Sequence, residues 1–178
     1  IGRYAFYECS KLIYIKIPES VTYFGRKAFY STPWFNNNLD NELLIVNNIL
    51  IGGRRCWGNV KIPESVTSIG DEAFLDCKDI KSLTIPESVT AIGNMAFGGC
   101  TNLSDITIPE SVTSIGNEAF SGTSWLKSKR EENPLVIIND ILIDGRYCEG
   151  DVKIPESVTA ISDGAFSEYG RLTSITIP

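Results

Sequence analysis

The stretch LSDITIPESVTSIGNEAF, residues 103–120, decides the fold because its segments recur along the chain. The hexapeptide IPESVT begins at Ile17, Ile62, Ile85, Ile108 and Ile154. The dipeptide Ala-Phe ends at Phe6, Phe29, Phe74, Phe97, Phe120 and Phe166. These phenylalanines are 23, 45, 23, 23 and 46 residues apart, and self-similarity at a fixed period is the signature of a repeat architecture. The chain therefore consists of 23-residue units, with two steps of nearly double length.

Each regular unit predicts two short extended stretches separated by a proline. Ile106 and Ile108 point to one side of the first stretch, and Pro109 ends it because proline cannot donate to a strand ladder. Residues 112–115 form the second stretch. One unit buries few apolar side chains, so stacked units must build the core, and the length predicts roughly eight coils. The pattern predicts an α/β-type repeat solenoid, predominantly β, with buried columns that contain Phe74, Phe97, Phe120, Ile85, Ile108 and Ile154.

Both double-length units carry signals for a short helix directly after the Ala-Phe dipeptide. Thr32 is followed by a proline and a tryptophan, and Ser124 is followed by a tryptophan. Threonine and serine are good helix caps, and proline suits the first helical position. Helical turns are therefore expected over residues 34–38 and 125–131.

A hairpin is predicted after each of these helices. The apolar runs LLIVNNILIGG (residues 43–53) and LVIINDILIDG (residues 135–145) contain a central Asn-Asn or Asn-Asp pair. Such a pair between β-rich segments favours a two-residue hairpin turn. We expect hairpins over residues 43–51 and 135–143.

The composition argues against several classes of function. The net charge is −6, which does not suit the phosphates of nucleic acids. The chain has no histidine and no CxxC pair, so histidine-based nucleophile systems and the common zinc sites are not available. The sequence also lacks an apolar run long enough to span a membrane. We expect no enzyme activity and no metal, cofactor or nucleic acid, and no membrane span in this segment.

The combined motif LxxIxIPESVTxIGxxAFxxC resembles the BspA-like leucine-rich repeats, a family of bacterial and protist surface proteins. The resemblance implies a curved right-handed solenoid with a β-sheet on its concave face. It also implies display at the cell surface or secretion, and adhesion to host matrix proteins or other cells. The sequence departs from the repeat at a few positions, where Ser162 replaces the glycine and Thr32, Thr123 and Tyr169 replace the cysteine.

The ends of the sequence fall inside repeat motifs. Ile1-Gly2 has the same phase as Ile69-Gly70, and Ile177-Pro178 stops within another copy. The expectation is one leucine-rich-repeat solenoid over residues 1–178, cut from a longer protein at both ends.

Cysteines and glutamates recur in register with the repeat and allow two interpretations each. Cys77 and Cys100 would lie one coil apart, where they form either a disulfide or a ladder of small buried side chains. Parallel inward Cβ vectors suit a disulfide poorly, which favours the buried ladder. A row of repeat glutamates suggests either a calcium site or a solvated edge, and the lack of a DxDxDG loop favours the edge. The row consists of Glu19, Glu64, Glu87, Glu110 and Glu156.

Exposed positions on the first extended stretch are the candidate partner-binding residues. They would form a column on the concave sheet, with an aromatic anchor at one end and lysines that attract an acidic partner. This column contains Tyr14, Lys16, Lys61, Thr84, Thr107 and Lys153. Tyr23 and Trp57 are further candidates for outward positions.

Three functions remain open at the level of sequence. The first is non-enzymatic adhesion to a host protein, such as a matrix protein or mucin. The second is a carbohydrate-associated module, which exposed tyrosines and tryptophans along one face would favour. The third is a structural spacer whose outer face is idle.

Overall fold

Parallel backbone pairing between successive coils organises the chain. The computed structural model describes residues 1–38, 42–53, 55–168 and 170–178. Within these ranges the helices are α1 (Pro33–Asn38) and α2 (Ser124–Glu132), and neither is long and apolar enough to cross a membrane. The strands within the same ranges are β1 (Leu44–Val46), β2 (Ile49–Gly52), β3 (Gly58–Lys61), β4 (Ser68–Ile69), β5 (Ile80–Thr84), β6 (Ala91–Ile92), β7 (Asp105–Thr107), β8 (Ser114–Ile115), β9 (Val136–Ile138), β10 (Ile141–Asp144), β11 (Gly150–Lys153), β12 (Ala160–Ile161) and β13 (Leu172–Thr176).

The strands stack in two columns, one for each extended stretch of the repeat. The first column contains a three-stranded parallel sheet, β3-β5-β7, and a separate parallel pair, β11-β13. The second column contains the parallel strands β2-β4-β6-β8 and the parallel pair β10-β12. Strands β1 and β9 join the second column antiparallel. This right-handed solenoid with 23-residue coils confirms the predicted fold class.

The number of coils differs from the expectation. The described part of the chain makes about five complete turns, which matches the five IPESVT copies, and the estimate of eight was wrong. The estimate of eight coils divided the chain length by 23 and so assumed that every residue belongs to a regular coil. The two long units instead use their additional residues for a helix and a hairpin.

Stacked phenylalanine rings form the centre of the core. The ring centroids of Phe74 and Phe97 are 5.3 Å apart, and those of Phe97 and Phe120 are 5.4 Å apart. The side chains of Phe74, Phe97 and Ile154 are fully buried, and Ile85 is only 3% exposed. The predicted columns are confirmed for these residues.

Ile108 does not fit the prediction of full burial. Its side chain is only half-buried, although it packs against the core. Ile108 follows β7, which is an edge strand of the first column. None of the described strands therefore covers Ile108 from the next coil, and part of its side chain reaches solvent.

Both helices form where the sequence predicted them, and a threonine caps each. The Thr32 hydroxyl oxygen accepts a hydrogen bond from Phe35 N at 3.1 Å in α1. In α2 the cap is Thr123 rather than the predicted Ser124, because the Thr123 hydroxyl accepts from Leu126 N at 3.0 Å. Ser124 instead donates its hydroxyl to the carbonyl oxygen of Thr101, one coil earlier.

The two predicted hairpins are confirmed, and each turn fixes itself to the preceding coil. Asn47, Asn48, Asn139 and Asp140 all have positive φ, between 48° and 63°, as a type I′ turn requires. Asn139 Nδ2 also donates to the carbonyl oxygens of two residues in the IPESVT segment before it, at 2.7 and 3.0 Å. Asn47 makes the equivalent pair of bonds in the first long unit.

The cysteines are free thiols, so the disulfide interpretation of Cys77 and Cys100 was wrong. Cys100 Sγ donates to the carbonyl oxygen of Phe74 at 3.0 Å, and Cys77 Sγ donates to that of Gly53 at 3.3 Å. Each thiol therefore bonds to the preceding coil. Burial raises the pKa of Cys100 to about 12, which keeps its thiol protonated. The buried-ladder interpretation is confirmed.

A partly buried charge network holds the second long unit together. Arg146 lies 2.9 Å from Asp144 Oδ2 and 2.9 Å from Glu118 Oε1. Arg130 of α2 also contacts Asp144 Oδ2, at 2.6 Å, and only 3% of the Asp144 side chain is exposed. The network joins α2, the end of β10 and the preceding coil. At the first long unit, Arg26 Nε of the preceding coil lies 2.5 Å from Glu72 Oε1, whose side chain is buried.

Removal of the Phe97 ring should destabilise the solenoid. Phe97→Ala is expected to lower the free energy of unfolding by about 3–5 kcal/mol, because it leaves a cavity between two neighbouring rings. Chemical denaturation measures the change. Tyr14→Ala truncates an exposed ring and should cost less than about 0.5 kcal/mol. A loss below about 1 kcal/mol for Phe97→Ala would contradict the stacked column.

Asp144→Ala should destabilise the second long unit by about 3–5 kcal/mol, because it leaves Arg130 and Arg146 without their shared carboxylate. Glu132→Ala is the matched control, since it breaks the exposed Lys129–Glu132 pair and should cost less than about 1 kcal/mol. Both changes are measured by urea denaturation. Equal losses in the two variants would show that the buried network adds nothing.

Cysteine labelling provides an independent check of the ladder. In native protein a thiol-specific reagent should modify the exposed Cys9 quickly, because the other thiols are buried and the reactive species is the thiolate. Mass spectrometry should show one fast modification, which Cys9→Ser removes. Modification of the remaining cysteines should require unfolding, and fast native labelling of Cys77 or Cys100 would rule out the ladder.

Candidate functional site

The sheet β3-β5-β7 brings three of the predicted binding residues together. Lys61 lies directly opposite Thr84, and Thr84 lies opposite Thr107, in the parallel register. All three side chains are exposed, and neighbouring strands lie about 4.8 Å apart. These residues form one row across three strands, on what we term the outer face of the first column.

A second polar row runs beside the first on the same sheet. Asn59 lies opposite Ser82, and Ser82 lies opposite Asp105. The Ser82 hydroxyl donates to Asn59 Oδ1 at 2.9 Å, which fixes the orientation of the amide. The outer face therefore presents amide, hydroxyl and charged groups at regular spacing on a rigid support.

Lys153 belongs to a separate part of the first column. It lies on β11 opposite Thr176 of β13, in a sheet that is not joined to β7. Helix α2 occupies the position next to β7 where the following strand of the first column would lie. Trp125 N at the start of the helix donates to the carbonyl oxygen of Leu103 at 2.8 Å. The helix therefore separates Lys153 from Thr107.

Tyr14 and Lys16 form the third group. Residues 12–18 form no strand, although both side chains are exposed, with 74% of Tyr14 accessible. Helix α1 follows this segment, since Trp34 N donates to the carbonyl oxygen of Leu12 at 2.8 Å. The predicted column is therefore not continuous, because a helix interrupts it at each long unit. Whether these residues bind a partner stays a prediction.

A cleft of about 450 Å³ lies beside Lys153, where α2 interrupts the first column. It combines apolar side chains with a lysine and a glutamate. Its lining consists of Asn133, Pro134, Leu135, Tyr147, Cys148, Glu149, Val152 and Lys153. The sequence analysis identified only Lys153 of this set.

Tyr147 separates this cleft from a second one on the side of α2. The second cleft measures about 500 Å³ and is lined by Gly122, Thr123, Ser124, Lys127, Arg130, Glu131 and Tyr147. Half of the Tyr147 side chain is exposed, and the Arg130 guanidinium lies 4.7 Å from its ring centroid. An exposed aromatic between two clefts is the kind of residue that anchors a partner. Tyr147 lies between the LVIINDILIDG run (residues 135–145) and strand β11, and this position was the signal that could have identified it.

A groove of about 550 Å³ runs along the second column. Small side chains at equivalent positions, Ser68, Ala91 and Ser114, leave room for it. Tyr23 lines one end and donates its hydroxyl to Asp71 Oδ2 at 3.2 Å. Burial raises the pKa of Tyr23 and keeps this hydroxyl a donor. The sequence analysis assigned the concave face to the first column, whereas this groove lies on the second.

The repeat glutamates form an exposed row rather than a cluster. All five side chains are accessible to solvent. Within the described residues, no group of three or more cysteine, aspartate or glutamate side chains is arranged to hold a metal ion.

Comparisons with solved structures find similar repeat proteins. A leucine-rich repeat protein of T. pallidum is 25% identical over 73% of this chain and 63% of that chain, with a TM-score of 0.47. A leucine-rich cell surface protein of Faecalibacterium prausnitzii A2-165 is 35% identical over 68% of this chain and 27% of that chain, with a TM-score of 0.37. A leucine-rich repeat protein of Bacteroides ovatus ATCC 8483 is 26% identical over 72% and 36%, with a TM-score of 0.41. The match spans less than two thirds of each of these three chains.

No curated protein matches the sequence. The family model for the BspA type leucine-rich repeat region matches in six copies, over residues 1–73, 54–144 and 138–178. These matches together cover the whole chain, in agreement with the repeat motif and the two strand columns. The chain therefore belongs to the BspA-type leucine-rich repeat family.

Proposed function

We propose that this chain is a non-enzymatic binding module of a bacterial cell-surface or secreted protein, and that it mediates adhesion to a host protein. The observation that carries the proposal is the row formed by Lys61, Thr84 and Thr107 on three hydrogen-bonded strands. A solenoid holds such side chains in place before a partner arrives, so little ordering entropy is lost on binding. Membership of the BspA-type family supports the surface location and the non-catalytic role.

The three lysines among the predicted binding residues give the binding its expected dependence on charge. Lys16, Lys61 and Lys153 are exposed on a chain whose net charge is −6. Exposed lysines at the rim of an interface mainly steer an acidic partner and raise the association rate at low salt. Tyr14 is the proposed aromatic anchor at one end, since truncation of aromatic residues often dominates interface energetics.

A carbohydrate-binding role is the second candidate, and exposed aromatics favour it. Tyr14 and Trp57 are both 74% exposed. Trp57 directly precedes β3 of the first column, and Tyr14 lies in residues 12–18, which form no strand. The planar faces of such rings stack on the C–H groups of sugars, while neighbouring amide and hydroxyl groups bind sugar hydroxyls. Binding to a glycan array that is lost in Trp57→Ala, without binding to any host protein, would support this function instead of protein adhesion.

The double variant Tyr14→Ala/Lys61→Ala tests the proposed function. Surface plasmon resonance against immobilised host matrix proteins and mucin should first identify a ligand for the wild-type chain. The double variant should then bind at least about tenfold more weakly, since it loses the anchor and one steering charge. Lys78→Ala is the matched control, because it removes an exposed lysine from a turn outside the proposed face. Unchanged binding by the double variant would place the contact elsewhere.

A further inference from the structure

The second long unit interrupts the backbone ladder that joins successive coils. In the regular coils a carbonyl oxygen accepts a backbone N–H of the next coil, as Ile92 accepts from Gly116 at 2.8 Å. Among the described residues, no backbone hydrogen bond and no strand pair joins residues 42–123 to residues 134–178. We term these two parts the first stack and the second stack, since each has a ladder of its own.

Ser162 stands where the repeat has a glycine, and its hydroxyl supplies a bond between the two stacks. Ile115 is the equivalent of Ile92 one coil later, so a continuous ladder would bond its carbonyl oxygen to a backbone N–H of the following coil. This oxygen accepts the Ser162 hydroxyl instead, at 2.9 Å, and Ser162 is only 9% exposed. The N–H of Ser162 bonds within the second stack, to the carbonyl oxygen of Leu142. A side chain therefore makes the connection that backbone groups make in the regular coils.

Two further polar contacts cross between the stacks, and both use side chains. Arg146 of the second stack lies 2.9 Å from Glu118 Oε1 of the first. Asn139 Nδ2 of the second stack donates to the carbonyl oxygens of Pro109 and Val112. Side chains rotate between staggered conformations, so these contacts can break while the backbone ladder of each stack stays intact.

Apolar packing also continues across this boundary. Val136 and Ile141 of the second stack belong to one core cluster with Phe120 and with Trp125 of α2. The hydrophobic effect that favours such contact is not directional. The apolar packing therefore keeps the stacks together, whereas the polar side-chain contacts fix the angle between them.

We propose that the second long unit is a hinge at which the two stacks tilt relative to each other, and that the Ser162 hydroxyl and the Arg146–Glu118 ion pair hold it closed. Rotation of these side chains releases the hinge without unfolding either stack. The hinge lies between Thr107 and Lys153, so its opening changes the distance between two groups of the predicted binding residues. The inference does not depend on whether those residues bind a partner.

Spin labels on the two stacks measure the tilt. The labels are attached at Lys61→Cys and Lys153→Cys, two exposed positions, in a Cys9→Ser background that removes the exposed native thiol. Double electron–electron resonance gives the distribution of distances between the labels. Ser162→Ala removes the hydroxyl and retains Cβ, and it should broaden this distribution at least about twofold.

Ser111→Ala is the matched control. The Ser111 hydroxyl donates to the carbonyl oxygen of Val89 at 2.8 Å, between two coils whose strands are also paired through the backbone. This variant should leave the distance distribution unchanged, and the double variant Ser162→Ala/Glu118→Ala should broaden it beyond the single change. Unchanged distributions in Ser162→Ala and in the double variant, or equal broadening in Ser111→Ala, would overturn the proposal.

Amide hydrogen exchange separates a hinge from a general loosening of the fold. The N–H groups of Gly116 and Gly145 donate within the first and the second stack, at 2.8 and 2.7 Å. Their exchange rates should change by less than about threefold in Ser162→Ala, because both ladders stay intact. Faster exchange at both amides together with the broadening would mean that the stacks themselves lose structure, and would reject the hinge. If the double variant fails to fold, Ser162→Ala alone decides the question.

Discussion

Backbone hydrogen bonds between neighbouring coils set the distance at which everything else in this solenoid repeats. The N–H groups of Phe74 and Phe97 each donate to the alanine carbonyl oxygen before the next phenylalanine, at 2.8 Å. This spacing brings the rings of successive coils into contact at 5.3–5.4 Å, and it aligns the Cys100 thiol with the carbonyl group of Phe74. The size and shape of a repeat side chain are therefore constrained mainly by the equivalent side chains in adjacent coils, because those are the side chains it packs against. The same dependence makes each coil unstable alone and the stack cooperative.

The second long unit divides the first column at helix α2, because a helix is too wide to take the place of one strand. A helix with its side chains is about 10–12 Å wide, whereas neighbouring strands are about 4.8 Å apart. Helix α2 therefore cannot replace a strand of the first column without separating β7 from β11. In the second column the hairpin strand β10 takes the position of a regular strand and pairs in parallel with β12. Among the described strands β8 is not paired with β10, so the second column is also divided here. Side-chain contacts cross the junction: the Ser162 hydroxyl donates to the carbonyl oxygen of Ile115, and Arg146 pairs with Glu118. The buried carboxylate of Asp144 in turn joins Arg146 to Arg130 of α2.

The sequence predicts the parts of this structure that depend on residue spacing, and it fails where three-dimensional packing decides. The period, the hairpin turns and the helix positions follow from local rules, and they agree with the structure. The choice of Thr123 over Ser124 as the cap depends on a carbonyl group one coil away. The partial exposure of Ile108 and the division of the predicted column of candidate residues both depend on the width of α2. The residue pattern predicts the order of the units along the solenoid but not how much space each one occupies along its axis. The exposure of Ile108 and the separation of Lys153 from Thr107 therefore could not be predicted from the sequence.

Near-identical coils are a poor source of specificity, because a row of equal side chains offers the same contact at every level. Residues 55–61 and 147–153 are equivalent segments of the two long units, and their sequences differ. Gly58 and Gly150 share a positive φ, of 67° and 70°, and the strands that follow have the same pattern of burial. Directly before these glycines, Glu149 takes the place of Trp57, and the aromatic residue of the second unit is Tyr147, which takes the place of Arg55. The same backbone thus carries different exposed aromatic side chains at the two interruptions. The second interruption also carries the two clefts beside Tyr147, so the long units have surface features that the regular coils do not repeat.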